Sequence, residues 1–436
     1  ENVPSARARN IRNKAWGTSV DVEPASWPGR VVDRGDPTDP GDSAPVLPDK
    51  RDTRFMDAVL SQLYNAPALK QAGKGGMLRV LDLSESNLMD AQIPRLADAI
   101  GQAVGLEVLS LRANRLSYAS MEDLAGGLSR NDSITSLDIS QNNVSREGAD
   151  FLSTALSTRH NLTALDVSCN LLSDRGCLAI LQALCTVRGA PIKRLSLSEN
   201  GVSDYTCAGL STLLDEAKHI EYLDVSRSKF HPAGIKVISD ELLTAMSLRH
   251  LSLAHVPLGA DGVAPLAKSL QKNVTLRTLD LYGCYIGDAG ATHLARALGA
   301  NKALQRLDVG TNAIHADGCN MLSDAVSSNT TLTALRMWGN ELRLGVQRLQ
   351  GMMLKNDRIT DLDITGCLGP EDVVFTIKAL VRKNRNAHVE RSQASRTVEG
   401  LQDKVRGLEQ ELADAKTALA KTPKNTNNWM ANALNA

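Results

Sequence analysis

The sequence predicts an α/β chain: a right-handed β/α solenoid bent into a horseshoe of about eleven units, with an extended N-terminal arm and a C-terminal coiled-coil helix. Three observations lead there. A strand-like string recurs at a nearly constant spacing, a helical pattern follows each copy, and the periodicity stops where the composition changes at either end. A length of 436 residues alone would suggest about three domains of roughly 150 residues. The repeat replaces that prior, because self-similarity at a fixed period defines one continuous array.

The first copy is Leu78-Arg79-Val80-Leu81-Asp82-Leu83, and further copies begin at Leu106, Ile134, Leu162, Ile192, Ile220, Leu248, Leu276, Leu304, Leu332 and Ile359. Successive starts are 28 residues apart, with one step of 30 and a last step of 27. Inside a copy the residues alternate as in a short strand, so Leu251 and Leu253 face one side while Ser252 and Ala254 face the other. The ninth position is Asn at 114, 142, 170, 200, 312 and 340, and Cys at 284 and 367. An amide there can bond backbone groups left open where the strand turns. Ser86, Ser228 and Val256 depart from the pattern, and at Val256 a locally different turn is expected.

This string, LxxLxLxxNxL, resembles the leucine-rich repeat family in its long, ribonuclease-inhibitor-like class. The resemblance covers about residues 78–385. It implies a parallel strand layer on the concave side and helices outside.

The second half of each copy carries its own signal. Aliphatic pairs such as Leu266 with Leu270 and Leu294 with Leu298 stand four residues apart, which places an apolar stripe on one helix face. Asn131, Asn273, Asn301, Asn329 and Asn356 each precede the next strand by three residues, and are expected to stop the helices in the left-handed conformation that Asn tolerates.

An array buries its core only against neighbouring repeats, so its ends need lids. Residues 51–77, with Phe55, Val59 and Leu63 at helical spacing, predict an N-terminal capping helix. Pro370-Glu371-Asp372 begins a closing helix expected to end near Arg385, so that the solenoid with its cap spans 78–387. Residues 388–421 predict a coiled-coil helix: Val398, Leu401, Val405, Leu408, Leu412, Ala415 and Leu419 are spaced alternately three and four, with Gln402, Lys404, Glu409, Glu411 and Lys416 at the edges of the seam. That seam fits a dimer, a partner's helix through 398–419, or a helix folded back on the solenoid. Residues 1–50 hold seven of the fifteen prolines and read as an extended arm, either with Trp16 and Trp27 as anchors on a neighbour or folded back on its own horseshoe. Residues 422–436 form a polar tail.

Composition narrows the function. Lys plus Arg number 49 and Asp plus Glu 49, so the basic excess of a nucleic-acid or acidic-membrane binder is missing. Aromatics are only 3%, which calls for an aliphatic core. The sequence has no apolar run near the roughly 18 residues of a membrane span. Seven cysteines without CxxC spacing read as free thiols in a reducing compartment. No phosphate loop, nucleophile elbow or HExxH string appears, and no metal or cofactor site is expected.

The remaining candidates lie on the expected concave face. One column, Asp82, Asp138, Asp166, Asp224, Asp280, Asp308 and Asp363, makes an acidic stripe, either a groove for cations or a basic peptide, or a feature of the repeat consensus. A second column, two residues earlier, runs Arg194, Tyr222, His250, Thr278 and Arg306. On the other side, Tyr282 and Trp338 are expected to stand exposed on either side of Gly310. Arg194, Tyr222, His250, Tyr282, Arg306 and Trp338 are therefore the expected protein-binding residues.

Three functions fit such a chain. A non-enzymatic scaffold or adaptor in a large assembly fits the rigid array with docking segments at both ends. Its organisation resembles leucine-rich repeat subunits of the axonemal nexin–dynein regulatory complex, which implies a cytoplasmic place in the cilium, flagellum or cytoskeleton with protein partners. A Ran-type GTPase activator shares the repeat class, but the first loop, Asn87 to Gln92, has no arginine and the acidic tail of that family is missing. An inhibitor or sensor of the ribonuclease-inhibitor class is the third, without that family's cysteine richness.

Overall fold

The computed structural model describes residues 56–61, 63–64, 78–158, 161–187 and 191–421, with side chains to 414. The arm 1–50 with Trp16 and Trp27, the residue Phe55 and the tail 422–436 lie outside the described residues.

Among the described residues, eleven three-residue strands run from β1 (Val80–Asp82) to β11 (Asp361–Asp363) and form one parallel sheet in sequence order. A helix follows each strand, beginning with Ile93–Gln102 and Tyr118–Arg130. The short strands follow from the repeat, in which only the third to fifth positions pair with a neighbour before the chain must turn away. The leucine at the middle of each strand pairs in register with its neighbour's, as Leu81 with Leu109 and Leu109 with Leu137. These leucines point to the helix side, where pairs such as Leu96 with Ile100 and Leu294 with Leu298 are fully buried against them. One aliphatic core thus runs the length of the array. Val59 and Leu63 from the N-terminal helical stretch are buried in that core.

Two asparagine ladders stitch the repeats. Asn142 accepts a hydrogen bond from the Leu116 N–H at 3.2 Å and donates to the carbonyls of Leu111 and Ile139 at 3.0 and 2.9 Å, so one side chain serves two repeats. Asn114, Asn170 and Asn200 do the same. At Val256 the backbone replaces the amide: its N–H donates to Leu253 O and its carbonyl accepts from Leu258 N–H, which is the different turn expected there.

The second ladder corrects an expectation. Asn131, Asn301, Asn329 and Asn356 end their helices in extended, not left-handed, backbone. Their buried amides reach back one repeat instead. Asn301 donates to the carbonyls of Leu270 and Asn273 at 2.7 and 3.0 Å, and accepts from the N–H groups of Ala303 and Leu304. They end the helices by giving the open carbonyls of the preceding turn a donor.

The terminal helix is also longer than expected. It runs from Glu371 to Lys421 without a break at Arg385. Val373, Ile377 and Val381 close the core, and Asn384 extends the second ladder by donating to the carbonyls of Asn356 and Ile359. The helix continues because nothing after Arg385 is a helix breaker: Gly400 and Gly407 cost about 1 kcal/mol each and are tolerated.

Candidate functional site

The face of the sheet away from the helices is the candidate binding surface. It is built from the strands' alternate residues. Register aligns Arg194 on β5 (Arg194–Ser196) with Tyr222 on β6 (Tyr222–Asp224), then with His250 on β7 (His250–Ser252), Thr278 on β8 (Thr278–Asp280) and Arg306 on β9 (Arg306–Asp308). The expected column is therefore one continuous row.

Its side chains interact along the row. The Arg194 guanidinium lies 4.8 Å above the centre of the Tyr222 ring, and the Tyr222 and His250 rings are 6.2 Å apart. Burial and the guanidinium groups of Arg194 and Arg306 push His250 down to about 4, so its imidazole is neutral at physiological pH. Burial raises the Tyr222 phenol well above its usual range, so it remains a hydroxyl.

The two arginines differ. Arg306 sends Nη2 toward Asp361, 3.6 Å away, and Arg336 on β10 (Ala334–Arg336) pairs with the same carboxylate at 3.1 Å. Sequence reading missed Asp361, although it continues the row two strands beyond Arg306 through Ala334. Arg194 makes no salt bridge among the described residues; its Nε is buried without a hydrogen-bond partner, and desolvation lowers its pKa, as it does that of Arg306, against the attraction of the Asp166 and Glu221 carboxylates.

On the other side of the sheet face, the expected open gap is closed. Trp338 leans across Gly310 onto Tyr282, leaving Tyr282 only 9% exposed, and His255 meets the Tyr282 ring edge-on at 4.6 Å. The expectation that Tyr282 stands exposed is corrected: glycine leaves room for the indole, and stacking removes both rings' apolar faces from water. Trp338 keeps a half-exposed outer face.

The acidic column has a local task. Asp82, Asp138, Asp166, Asp224, Asp280, Asp308 and Asp363 each accept a hydrogen bond from the backbone N–H two residues on, at 2.9 or 3.0 Å. The carboxylates thereby fix the turn that leaves each strand. Among the described residues, no helix is long and apolar enough to cross a membrane, and no group of His, Cys, Asp and Glu is arranged to hold a metal. Burial raises the thiols of Cys177, Cys207 and Cys319 to about 12, which keeps them protonated.

The residues of the expected coiled-coil seam lie apart from this face. Val398, Leu401, Val405, Leu408 and Leu412 all stand on the free part of the terminal helix and are 53 to 65% exposed.

Comparison with known proteins places the repeats. The family described as "Leucine Rich repeat" matches residues 130–153, 159–181 and 272–295. No curated protein matches the chain. Among solved structures, an internalin (inlF) from Listeria monocytogenes str. 4b F2365 is 17% identical, with 64% of this chain and 80% of that chain covered and a TM-score of 0.41. A Rad7 and Elc1 complex in yeast gives 16% identity, 73% and 88% coverage and a TM-score of 0.41. The leiomodin-1 actin-binding site 2 gives 18%, 38% and 95%, with a TM-score of 0.32.

Proposed function

For this leucine-rich repeat protein, we propose the role of a non-enzymatic scaffold or adaptor that grips a protein partner on its strand face. Arg194 carries the reading. Its guanidinium is half-buried, stacked on Tyr222 and engaged in no salt bridge among the described residues, so folding has partly stripped its water while the nearby Asp166 and Glu221 carboxylates attract it without direct contact. A partner carboxylate set beside Arg194 would supply a direct ion pair, and Arg is the side chain whose planar fork suits that contact. Trp338 and Tyr222 add stacked, rigid aromatic surface of the kind that anchors interfaces.

The array belongs, on this reading, to the ribonuclease-inhibitor-like class, and the chain serves the ciliary axoneme or cytoskeleton as subunits of the nexin–dynein regulatory complex do. Support comes from the organisation: a stiff repeat body with a long projecting helix and a Pro-rich arm, each able to meet a different neighbour.

The test is retention of a tagged chain in detergent-extracted axonemes of a ciliated cell, compared with Arg194→Ala, Arg306→Ala and the exposed control Arg79→Ala. Retention that falls for the first two and holds for the control is expected. Absence of the parent chain from axonemes would sink the ciliary reading, and unchanged retention of Arg194→Ala would sink docking on the strand face. Stimulated GTP hydrolysis by a Ran-type GTPase would overturn the non-enzymatic role.

A further inference from the structure

The terminal helix leaves the body at Arg391, whose Nη2 pairs with Asp357 Oδ2 at 2.6 Å. Beyond it, residues 393–414 are all exposed, and the helix extends to Lys421. Thirty residues from 392 onward span about 45 Å at 1.5 Å per residue. The solenoid therefore does not cover the apolar seam, and an isolated helix with Gly400 and Gly407 has little reason to stay helical on its own.

The seam's chemistry selects an occupant. Val398, Val405, Leu412 and Leu419 occupy heptad position a, and Leu401, Leu408 and Ala415 occupy d, so the first two heptads set valine at a with leucine at d. Valine at a with leucine at d favours two parallel strands, because β-branched side chains pack well in the parallel a layers. The flanks agree. Lys404 and Glu411 fall at g, while Glu409 and Lys416 fall at e. In a parallel, in-register pair, each g residue meets the e residue five positions on in the other helix. Lys404 then meets Glu409 of the second copy, and Glu411 meets Lys416 of the second copy, each twice by symmetry. Every charged g–e contact is attractive, which is self-complementarity to an identical chain.

We propose that the occupant is a second copy of this chain, paired in parallel through residues 398–419. The dimer would carry two strand faces on one stalk, raising apparent affinity for a partner with repeated sites without any new contact. The inference is independent of what the strand face binds.

Sedimentation velocity of the full chain, from about 1 to about 100 µM, tests it. A concentration-dependent dimer is expected. Lys404→Glu alone and Glu409→Lys alone each turn two attractive contacts into repulsive ones and should weaken dimerisation roughly tenfold. An equimolar mixture of the two variants restores opposite charges across the interface and should recover the mixed dimer to within about threefold of the parent. Both sites are exposed, so the unfolding midpoint of the repeats should stay at the parental value. A monomer throughout overturns the proposal. So does a dimer indifferent to both substitutions, which would use another surface. Weakening without rescue in the mixture also overturns it, since in an antiparallel pair Lys404 faces Glu411 of the second copy instead.

Discussion

Trp338 stacks on Tyr282 across Gly310, with ring centroids 4.7 Å apart and planes 21° from parallel. The two residues stand on loops after β8 and β10, two strands apart, and the intervening position must be empty for them to meet. A Cβ on Gly310 would lie 2.6 Å from Trp338 Nε1 and 2.9 Å from Cδ1, closer than atoms approach. Gly310→Ala should therefore swing the indole off Tyr282 and into water. A red-shifted Trp338 emission, read against a Trp338→Phe background, and a stability loss of about 1–2 kcal/mol are expected. An unshifted spectrum would mean that the stack does not persist in solution.

The turn after each strand stores strain that can be released. The eighth residue of every repeat has positive φ: Glu85, Ala113, Gln141, Cys169, Glu199, Arg227, His255 and Thr311 do so without being glycine, whereas Gly283, Gly339 and Gly366 do so freely. Thr311, at φ 51°, is the β-branched member of the series and is exposed between two glycine-bearing repeats. Thr311→Gly should raise stability by about 1 kcal/mol, seen as a higher urea midpoint. A lower midpoint would show that the threonine side chain contributes more than its backbone conformation costs.

Sequence reading and structure part company where a position's chemistry varies but its backbone does not. The leucine period and the ninth-position asparagines announced the solenoid, because burial and paired backbone groups demand particular side chains. The positive-φ column was invisible: Glu, Ala, Gln, Cys, Arg, His and Thr share no property, and what unites them is a backbone N–H that bonds the next repeat, as Gln141 N–H does with Ser168 O. The helix-end asparagines were visible as a pattern, but their extended backbone and their reach into the previous repeat depend on stacking that one repeat does not contain. The row from Arg194 to Arg306 was legible from register alone. Which arginine makes a salt bridge was not, since Asp361 lies 55 residues from Arg306 in the chain.

The first asparagine ladder should be a large local contributor. Replacing Asn142 by Ala leaves the buried Leu116 N–H and the Leu111 and Ile139 carbonyls without the amide that joins them. A loss of about 1–2 kcal/mol is expected: the Leu116 N–H loses its acceptor, while the Leu111 carbonyl keeps the Asn114 amide and the Ile139 carbonyl keeps the Asn170 amide. Hydrogen exchange locates the effect: the Leu116 amide should exchange much faster than in the parent, while Ile314, held by Asn340 at the other end of the array, should be unchanged. Uniform acceleration at both sites would instead mean that the whole array opens as one unit.

Asp166 gives the strand face a pH dependence of its own. Burial, reinforced by the neighbouring Asp138 carboxylate, raises its pKa to about 7, well above the 3.8 of an unperturbed Asp side chain. The folded state therefore binds a proton that the unfolded chain has already released, and the sign follows. The contribution to stability is fully present below about pH 4 and is lost as pH rises through about 7, where the charged carboxylate must sit beside Asp138 and Asp224. Asp166→Asn keeps an oxygen to accept the Ser168 N–H but has no charge to desolvate. Measured relative to the parent, the variant should gain stability between pH 5 and pH 8 by about 1–2 kcal/mol, after discounting for the partial exposure of the site. A difference that stays flat over that interval would mean that Asp166 is already ionised at pH 5 and that its neighbours, or water, carry the charge without penalty.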